Sequence, residues 1–451
     1  LNALEVRAAV SLALVYVLRM MGLFMVMPVL AVAAMDYPDY SPVLVGLAVG
    51  GYGLTQAALQ IPMGMLSDRW GRKPVILLGL SVFAAGSFIA ATADSLAWMI
   101  AGRILQGAGA IAGAIMALAT DVSRETQRAK VMAIIGIAIG FSFYLAVLAG
   151  PLIANSWGLA GIFALTGVLA ICCMPLIQWS VPSVPMQTSG DVLPQRGQLR
   201  RLLFSSQLWR LNVSVLLLHM MITLLFVQLP VTLVHFDLTL ESHWMLYLPV
   251  LIASVIGLII LMGIGKGQTP RKVVLVAALF MTVAFAMLGA QDHHRWVVVG
   301  AVILFFTGFN YLEASFPALV SSIAPAGEKG TAMGIYASFQ FFGAFLGGVL
   351  AGIVADHWTA ETAYFVGAVA ASCWLLILRG LNEVNRIKRV AFKWQGTSED
   401  SSALLQALSE LTGVQETTVS VPDGMIYLKV TGQFDREAAN QLLRRFSGRA
   451  A

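Results

Sequence analysis

Charge is scarce in this chain. Asp, Glu, Lys and Arg make up 11% of its 451 residues, while 58% are hydrophobic, and mean hydropathy is +0.81. A soluble globular domain carries about 25% charged residues, so the composition excludes a soluble fold and implies a polytopic membrane protein. Cysteine is scarce too. Cys172, Cys173 and Cys373 all lie inside apolar stretches, which argues against a disulfide framework or a thiolate metal site and for buried apolar thiols. No ATP-binding P-loop pattern is present. No metal-ligand cluster or nucleophile–base pair stands out. An enzyme is therefore not indicated, no cofactor is expected, and energy would come from an ion gradient. The net charge of +5 is not a nucleic-acid footprint, because the basic residues sit in short loops between apolar segments. The first apolar run is followed directly by others, so it reads as an uncleaved insertion signal.

What is abundant is apolar sequence of spanning length, about 20 residues a time. Such runs fall near 10–34, 43–66, 74–94, 96–119, 131–154, 159–180, 209–234, 244–264, 273–290, 296–320, 331–355 and 362–379. They predict twelve membrane helices. The connecting segments alternate in charge. One set holds Arg69/Arg72/Lys73, Arg124/Arg128/Lys130, Arg196/Arg200/Arg201, Lys266/Arg271/Lys272 and Lys329. The other holds Asp36/Asp39, Asp94, Asp237/Glu241, Asp292 and Asp356/Glu361, with Arg295 its one basic residue. By the positive-inside rule the first set is cytoplasmic. An even helix count then places both termini in the cytoplasm of a bacterial inner membrane. His235, His243, His293, His294 and His357 fall in the outer loops and read as hydrated loop histidines rather than pH sensors.

The densest charged turn is Gly64-Met-Leu-Ser-Asp68-Arg69-Trp-Gly71-Arg72-Lys73. Gly64 lets two helices approach closely, and Gly71 frees the backbone to reverse. Asp68 among Arg69, Arg72 and Lys73 forms ion pairs that one conformation can hold and another release. The positive-inside rule explains the basic residues but not two glycines and an aspartate at this spacing. The run resembles the G-x-L-S-D-R-x-G-R-K signature between helices 2 and 3 of the major facilitator superfamily, without a mismatch. The resemblance implies that Asp68 faces the start of helix 11 and that Arg72 pairs with Asp121, locking the cytoplasmic side in the outward-open state.

Other motifs carry the same resemblance. Arg103-Ile-Leu-Gln106-Gly107-Ala-Gly109-Ala110 resembles the superfamily's R-x-x-Q-G-x-G-A, which implies a part for Arg103 in proton coupling. The competing reading is an arginine that ties helix 4 to its neighbours through carbonyls. Gly150-Pro151 partly resembles the helix 5 antiporter motif, with Ala154 and Asn155 replacing its last two glycines; a bend at Pro151 suits a gating element. Met27-Pro28-Val29-Leu30 resembles the end of helix 1 in drug–proton antiporters of the superfamily. Many of those carry an acid in helix 1, and this chain has none.

Ionisable groups inside spans cost about 2.5–3.5 kcal/mol each at the helix centre, so each calls for a reason. Arg19, Arg103 and Glu313 lie well inside, and His219 is a fourth. Glu313, with Asn310 one turn before it, is the one carboxylate deep in a span. Burial there favours its protonated form and suits it to load and release a proton. Arg19 either binds an anionic substrate group or neutralises Glu313, with structural pairing the simpler reading.

The chain also repeats itself. Met262-Gly263 followed by Arg271-Lys272 copies the spacing of Met63-Gly64 followed by Arg72-Lys73, and Lys329–Ile335 echoes Arg128–Ile134. Two six-helix halves, 1–180 and 209–380, are expected to rock about a midplane site. The linker 181–208 ends in Leu199-Arg-Arg-Leu-Leu-Phe204, which suits an amphipathic helix on the inner surface. Residues 385–451 read as βαββα: Val390/Phe392/Trp394 as a strand, a Leu404/Leu405/Leu408/Leu411 helix, a hairpin around Pro422-Asp423-Gly424, and a helix capped by Asp435. This order resembles a cytoplasmic ferredoxin-like domain of the heavy-metal-associated type, with no clear fourth strand. The loop Gln395–Ser402 lacks that family's cysteines, so no metal is expected. The domain is read either as a regulator contacting the transporter's own cytoplasmic loops or as a solvated appendage.

The fold class expected is thus an all-α, twelve-helix bundle plus a small α+β ferredoxin-like domain. The function expected is a proton-coupled efflux antiporter of amphipathic small molecules, with protons and membrane lipids as partners. The alternatives are a symporter or exporter of a polar metabolite, and a membrane sensor signalling through residues 385–451.

Overall fold

Capping side chains and helix breakers set the boundaries of the elements. The computed structural model describes residues 2–123, 127–182, 196–266, 268–290, 294–324, 329–382, 388–393, 398–420, 425–430 and 434–447. Helix α1 (Ala3–Phe24) opens with a capping box: Asn2 Oδ1 accepts from Glu5 N at 2.7 Å, and Glu5 Oε2 accepts from Asn2 N at 2.8 Å. It stops at Phe24, ten residues short of the expected end at 34. Pro28 lacks an N–H and crowds the carbonyl four residues back, that of Phe24. A short α2 (Leu30–Ala33) follows. Ser41 caps α3 (Pro42–Trp70), with Pro42 at its first position. Gly71 alone, at φ 95°, separates α3 from α4 (Arg72–Ala91). Only glycine takes that backbone conformation without strain.

Ser95 caps α5 (Leu96–Ala108), and α6 (Ala112–Asp121) follows after a break at Gly109. The run expected at 96–119 is therefore two helices, parted where Gly107-Ala-Gly109 weakens helix formation. Next is α7 (Arg128–Pro175), one hydrogen-bonded run of 48 residues bent at Gly158, whose φ is 63°. A straight helix of that length would measure about 72 Å, more than twice the roughly 30 Å hydrocarbon core. Both arms lie on α1. Gly150 abuts the Met25 backbone, Thr166 Oγ1 donates to Gly22 O at 3.1 Å, and Cys173 Sγ donates to Val15 O at 3.7 Å. The run therefore folds back at Gly158.

Linker helix α8 (Arg196–Leu203) leads to α9 (Leu208–His235), α10 (His243–Ile264), α11 (Pro270–Gly289), α12 (Arg295–Ile323), α13 (Lys329–His357) and α14 (Ala360–Arg379). Among the described residues, eleven helical runs are long and apolar enough to cross a membrane. This count is one below the expected twelve because 131–154 and 159–180 are the two arms of α7, which meet at Gly158 with no polar loop to part them. The tightest packing pairs α3 with α13, α1 with α7, and α9 with α13. Leu12, Tyr16, Ile76, Phe83, Ile115 and Leu118 form a core among α1, α4 and α6.

The chain divides into two compact units: residues 1–264 with 274–381, and residues 265–273 with 382–451. In the second, β1 (Lys388–Lys393), α15 (Ser398–Ser409), β2 (Val414–Ser420), β3 (Met425–Val430) and α16 (Arg436–Ser447) follow in order. The sheet is antiparallel in the order β1-β3-β2, with Phe392 and Val419 both opposite Ile426. Phe392, Leu404, Leu408, Ile426, Leu428, Ala439 and Leu443 fill its core. Asp435 Oδ1 accepts from Glu437 N at 2.8 Å at the start of α16. The ferredoxin-like expectation is corrected here. That architecture needs a fourth strand, and among the described residues three pair and no strand follows α16. Trp394 and the Pro422–Gly424 turn lie outside the described residues.

Candidate functional site

The α3–α4 turn gathers its charges around Arg72. Arg72 Nε donates to Asp121 Oδ2 at 3.0 Å, and Nη1 donates to Ser67 Oγ at 2.8 Å and pairs with Asp68. The Asp121 side chain, at the end of α6, is 6% exposed against 46% for Asp68, so the first pair is buried and the second open to solvent. Lys73 Nζ donates to Val181 O at 2.6 Å, and Arg69 is exposed. Asp68 has Arg72 as its described partner, and the residues before α13 lie outside the described set. Gly64 departs from expectation: nothing comes within 4 Å of where its Cβ would stand. It mediates no close approach in this state.

The reason lies at the other end of α3. A Cβ on Gly352 of α13 would stand 2.6 Å from Pro42 O and 3.0 Å from Val43 Cα. One on Gly50 would stand 2.8 Å from Phe345 O, and one on Gly348 2.9 Å from Gly50 N. The two helices touch backbone to backbone there, as small-residue seams allow. They diverge toward Trp70: Ile61 lies 3.8 Å from the Cβ position of Gly334, and Gly64 is free. The pair is packed backbone to backbone at the acidic-loop end and through side chains toward the basic-turn end.

Two buried arginines sit midway. Arg103 of α5 donates from Nε to Ala48 O at 2.9 Å, from Nη2 to Val49 O at 3.2 Å and from Nη1 to Gln106 Oε1 at 2.9 Å. Gln106 Nε2 donates onward to Ser87 Oγ at 2.7 Å. Arg19 of α1 is 1% exposed. Its Nη2 donates to Tyr52 OH and to Gly109 O, each at 3.1 Å, and to Gln56 Oε1 at 3.3 Å. Gly109 O is a carbonyl released by the α5–α6 break. Arg19 makes no contact with Glu313, which corrects the expected pairing; neutral partners hold its Nη2, while its Nε and Nη1 are buried with no hydrogen-bond partner. Tyr52 is shared, for Arg103 lies over its ring at 5.3 Å and Phe341 of α13 meets its edge at 6.1 Å.

Glu313 of α12 keeps 37% of its side-chain surface exposed, although its Oε2 is buried. Gln340 Nε2 donates to its Oε1 at 3.1 Å, and His219 Nε2 of α9 lies 3.6 Å from its Oε2. Asn310 Nδ2 donates to Tyr144 OH of α7 at 2.6 Å and lies 3.5 Å from Ser254 Oγ. Phe24, Phe226, Phe306 and Phe309 cluster around Phe143, with Phe24 and Phe226 edge to face on it at 5.1 Å and 6.0 Å and Phe306 and Phe309 tilted against it. Pro151 lies inside α7, beside Gly150 on the Met25 backbone. In the acidic loop, Asp39 accepts from Leu96 N at 2.8 Å and Ala97 N at 3.0 Å, and these bonds hold its carboxyl below the usual carboxylate range.

A membrane-helix packing with a tight α3–α13 seam and ionisable groups at its middle is the setting of this site. A family profile for the Major Facilitator Superfamily matches residues 12–348 and 267–414. The chain belongs to the Major Facilitator Superfamily. It is 38% identical over 446 residues to the inner membrane transport protein YajR of Escherichia coli K12, covering 96% of this chain and 97% of that one. It is 27% identical over 359 residues to the multidrug resistance protein MdtH of Aeromonas hydrophila, covering 75% and 84%. The fold matches a mutant form of the nucleoside transporter NupG with a TM-score of 0.68 at 14% identity, over 83% of this chain and 99% of that one. A bacterial homologue of the lysosomal transporter Spinster, in an inward-facing unoccupied conformation, matches with a TM-score of 0.67 at 15% identity, over 84% and 98%. This superfamily member is a transporter and not an enzyme.

Sequence reasoning missed Gln340, Tyr52, Gln56 and the aromatic cluster. Isolated polar or aromatic residues in apolar helices carry no spacing signal. It also missed the α3–α13 seam, although Gly46-x-x-x-Gly50 and Gly348-x-x-x-Gly352 are small-residue motifs of the kind that mark helix contacts.

Proposed function

We propose that this secondary transporter is a proton-coupled efflux antiporter of amphipathic small molecules, working by alternating access in a bacterial inner membrane with both termini cytoplasmic. The observation that carries the reading is Glu313. It is a carboxylate in the middle of a 29-residue membrane helix, half-exposed, with Oε2 lacking any hydrogen-bond partner and a histidine 3.6 Å away. A carboxylate so placed can exchange a proton with an aqueous opening as its surroundings change. The positive-inside rule makes the basic-turn end cytoplasmic. The conformation described is then inward-facing, its outer side shut by α3 against α13 and by the phenylalanine cluster. The apolar and aromatic surroundings suit an amphipathic solute, and a relative named as a multidrug resistance protein is in keeping with this.

Both Arg72 pairs are made in this inward-facing state, so the cytoplasmic latch of the outward-open state acts when Asp68 turns from Arg72 toward α13; Arg103 and Gln106 act as an internal brace for proton coupling, and Gly150-Pro151 as a gating bend. The second unit, which gathers residues 265–273 with the C-terminal sheet, acts through the transporter's own cytoplasmic turn. The test is flux in proteoliposomes. Efflux of cationic and neutral amphipathic compounds should rise with an imposed pH gradient and vanish with a protonophore. Transport indifferent to the gradient would refute the coupling.

A further inference from the structure

The Gln340 side chain of α13 sits between His219 of α9 and Glu313 of α12. Its Nε2 is 2.8 Å from His219 Nε2 and 3.1 Å from Glu313 Oε1. Turning the amide oxygen toward the carboxylate would set two acceptors against each other, so the amino group faces Glu313. The same amino group faces His219 Nε2, which must therefore accept. Nδ1 then carries the imidazole's one N–H proton, and it lies 3.2 Å from Val215 O, which can only accept. With the amide so placed, the pattern asks His219 Nε2 and Glu313 Oε1 both to accept, roles that a neutral imidazole and a carboxylate fill together. Glu313 Oε2 is left with no hydrogen-bond partner, facing His219 Nε2 at 3.6 Å.

A proton arriving between Oε2 and Nε2 has no place in that pattern. On Nε2 it sets donor against donor at the Gln340 contact. On Oε2 it weakens the acceptor that holds the amide and offers Nε2 a competing donor. We infer that Gln340 is a positioning residue that reads the protonation of the His219–Glu313 pair, tying α13 to α9 and α12 when the pair is unloaded and releasing α13 when it is loaded. The inference rests on the proposed coupling role of Glu313. Release acts where it matters for gating. The next residue, Phe341, meets the Tyr52 ring of α3, and Gly343 packs on the Leu216 backbone of α9. The other titratable groups facing the pair are Tyr336 of α13, whose buried hydroxyl has no hydrogen-bond partner and lies within electrostatic reach of Glu313, and Tyr144 of α7, held through Asn310. Among the described residues no lysine or arginine pairs with Glu313.

The test uses the full chain in liposomes, with spin labels at Tyr40 and Trp358, exposed residues flanking α3 and α13. The distance between them is followed against pH. Gln340→Met removes the amide that competes with the proton. The pH midpoint should move up by about one unit, a tenfold change in proton concentration, as expected for one net hydrogen bond. Gln340→Leu should move it the same way, which guards against a folding defect in either variant. A midpoint unmoved in both folded variants overturns the inference. If Glu313→Gln abolishes the pH response while the Gln340 variants leave the midpoint in place, the Gln340 inference alone fails. If Glu313→Gln leaves the response whole, the coupling reading fails and the inference with it.

Discussion

Substituting Gly352 with alanine places a methyl group against backbone that cannot rotate away. The new Cβ would stand 2.6 Å from Pro42 O, 3.0 Å from Val43 Cα and 3.2 Å from Gly46 Cα. Ordinary contact begins near 3.4 Å, so α3 and α13 must part by several tenths of an ångström along the seam. Overpacking of this kind costs about 1–3 kcal/mol. Alanine is also a better helix former than glycine by about 1 kcal/mol, but that gain is common to all conformations and cancels between them. The steric cost falls only on the state in which the seam is shut. At 1.4 kcal/mol per factor of ten, the equilibrium should shift about 5- to 150-fold toward the outward-open state. Dipolar EPR between labels at Tyr40 and Trp358, in a background without Cys172, Cys173 and Cys373, should show the longer distance gaining population. Gly64→Ala is the control, because it meets nothing within 4 Å and should not populate the longer distance. A Gly352→Ala distribution identical to the parent's, in folded protein, would refute the seam as the outer closure.

The latch makes a graded prediction. Asp121→Asn strips a buried partner from Arg72 and should cost about 1–3 kcal/mol of stability, whereas Asp68→Asn, at a half-exposed site, should cost less than about 1 kcal/mol while still lowering transport; melting temperature and flux together separate the two. At the outer loop the sign follows from Asp39. Its carboxyl is held below the ordinary 3.8 by the Leu96 and Ala97 amides, so its contribution is complete above pH 3.8 and is lost as pH falls through the lower, folded value. Asp39→Asn should therefore speed amide exchange at Leu96 and Ala97 at neutral pH, and the difference from the parent should narrow only below pH 3.8.

Much of the fold was legible because spanning length and loop charge are direct consequences of the bilayer. The Arg72–Asp121 pair was legible through the family motif. The misreadings have local causes. Pro28 ended α1 early, Gly109 split the fourth run, and Gly158 reversed the chain without a polar loop, so the fifth and sixth expected segments are the two arms of one helical run. The three C-terminal strands and two helices were found in order, but the order of strands within the sheet depends on pairing, which alternation alone does not encode. Arg19 was assigned a carboxylate because a buried charge wants its opposite. The structure instead gives it Tyr52, Gln56 and the carbonyl that the Gly109 break released, and a helix break is not visible as an acceptor in sequence. Gln340 has no spacing motif at all; its meaning comes from three helices converging.

The central claim is that Glu313 couples solute movement to protons. Its most direct measurement is pH-gradient-driven flux in proteoliposomes of Glu313→Gln, set beside the parent at equal amounts of folded protein. Gradient-driven flux should be lost while substrate-gradient-driven exchange persists. Undiminished acceleration by the pH gradient would contradict the account.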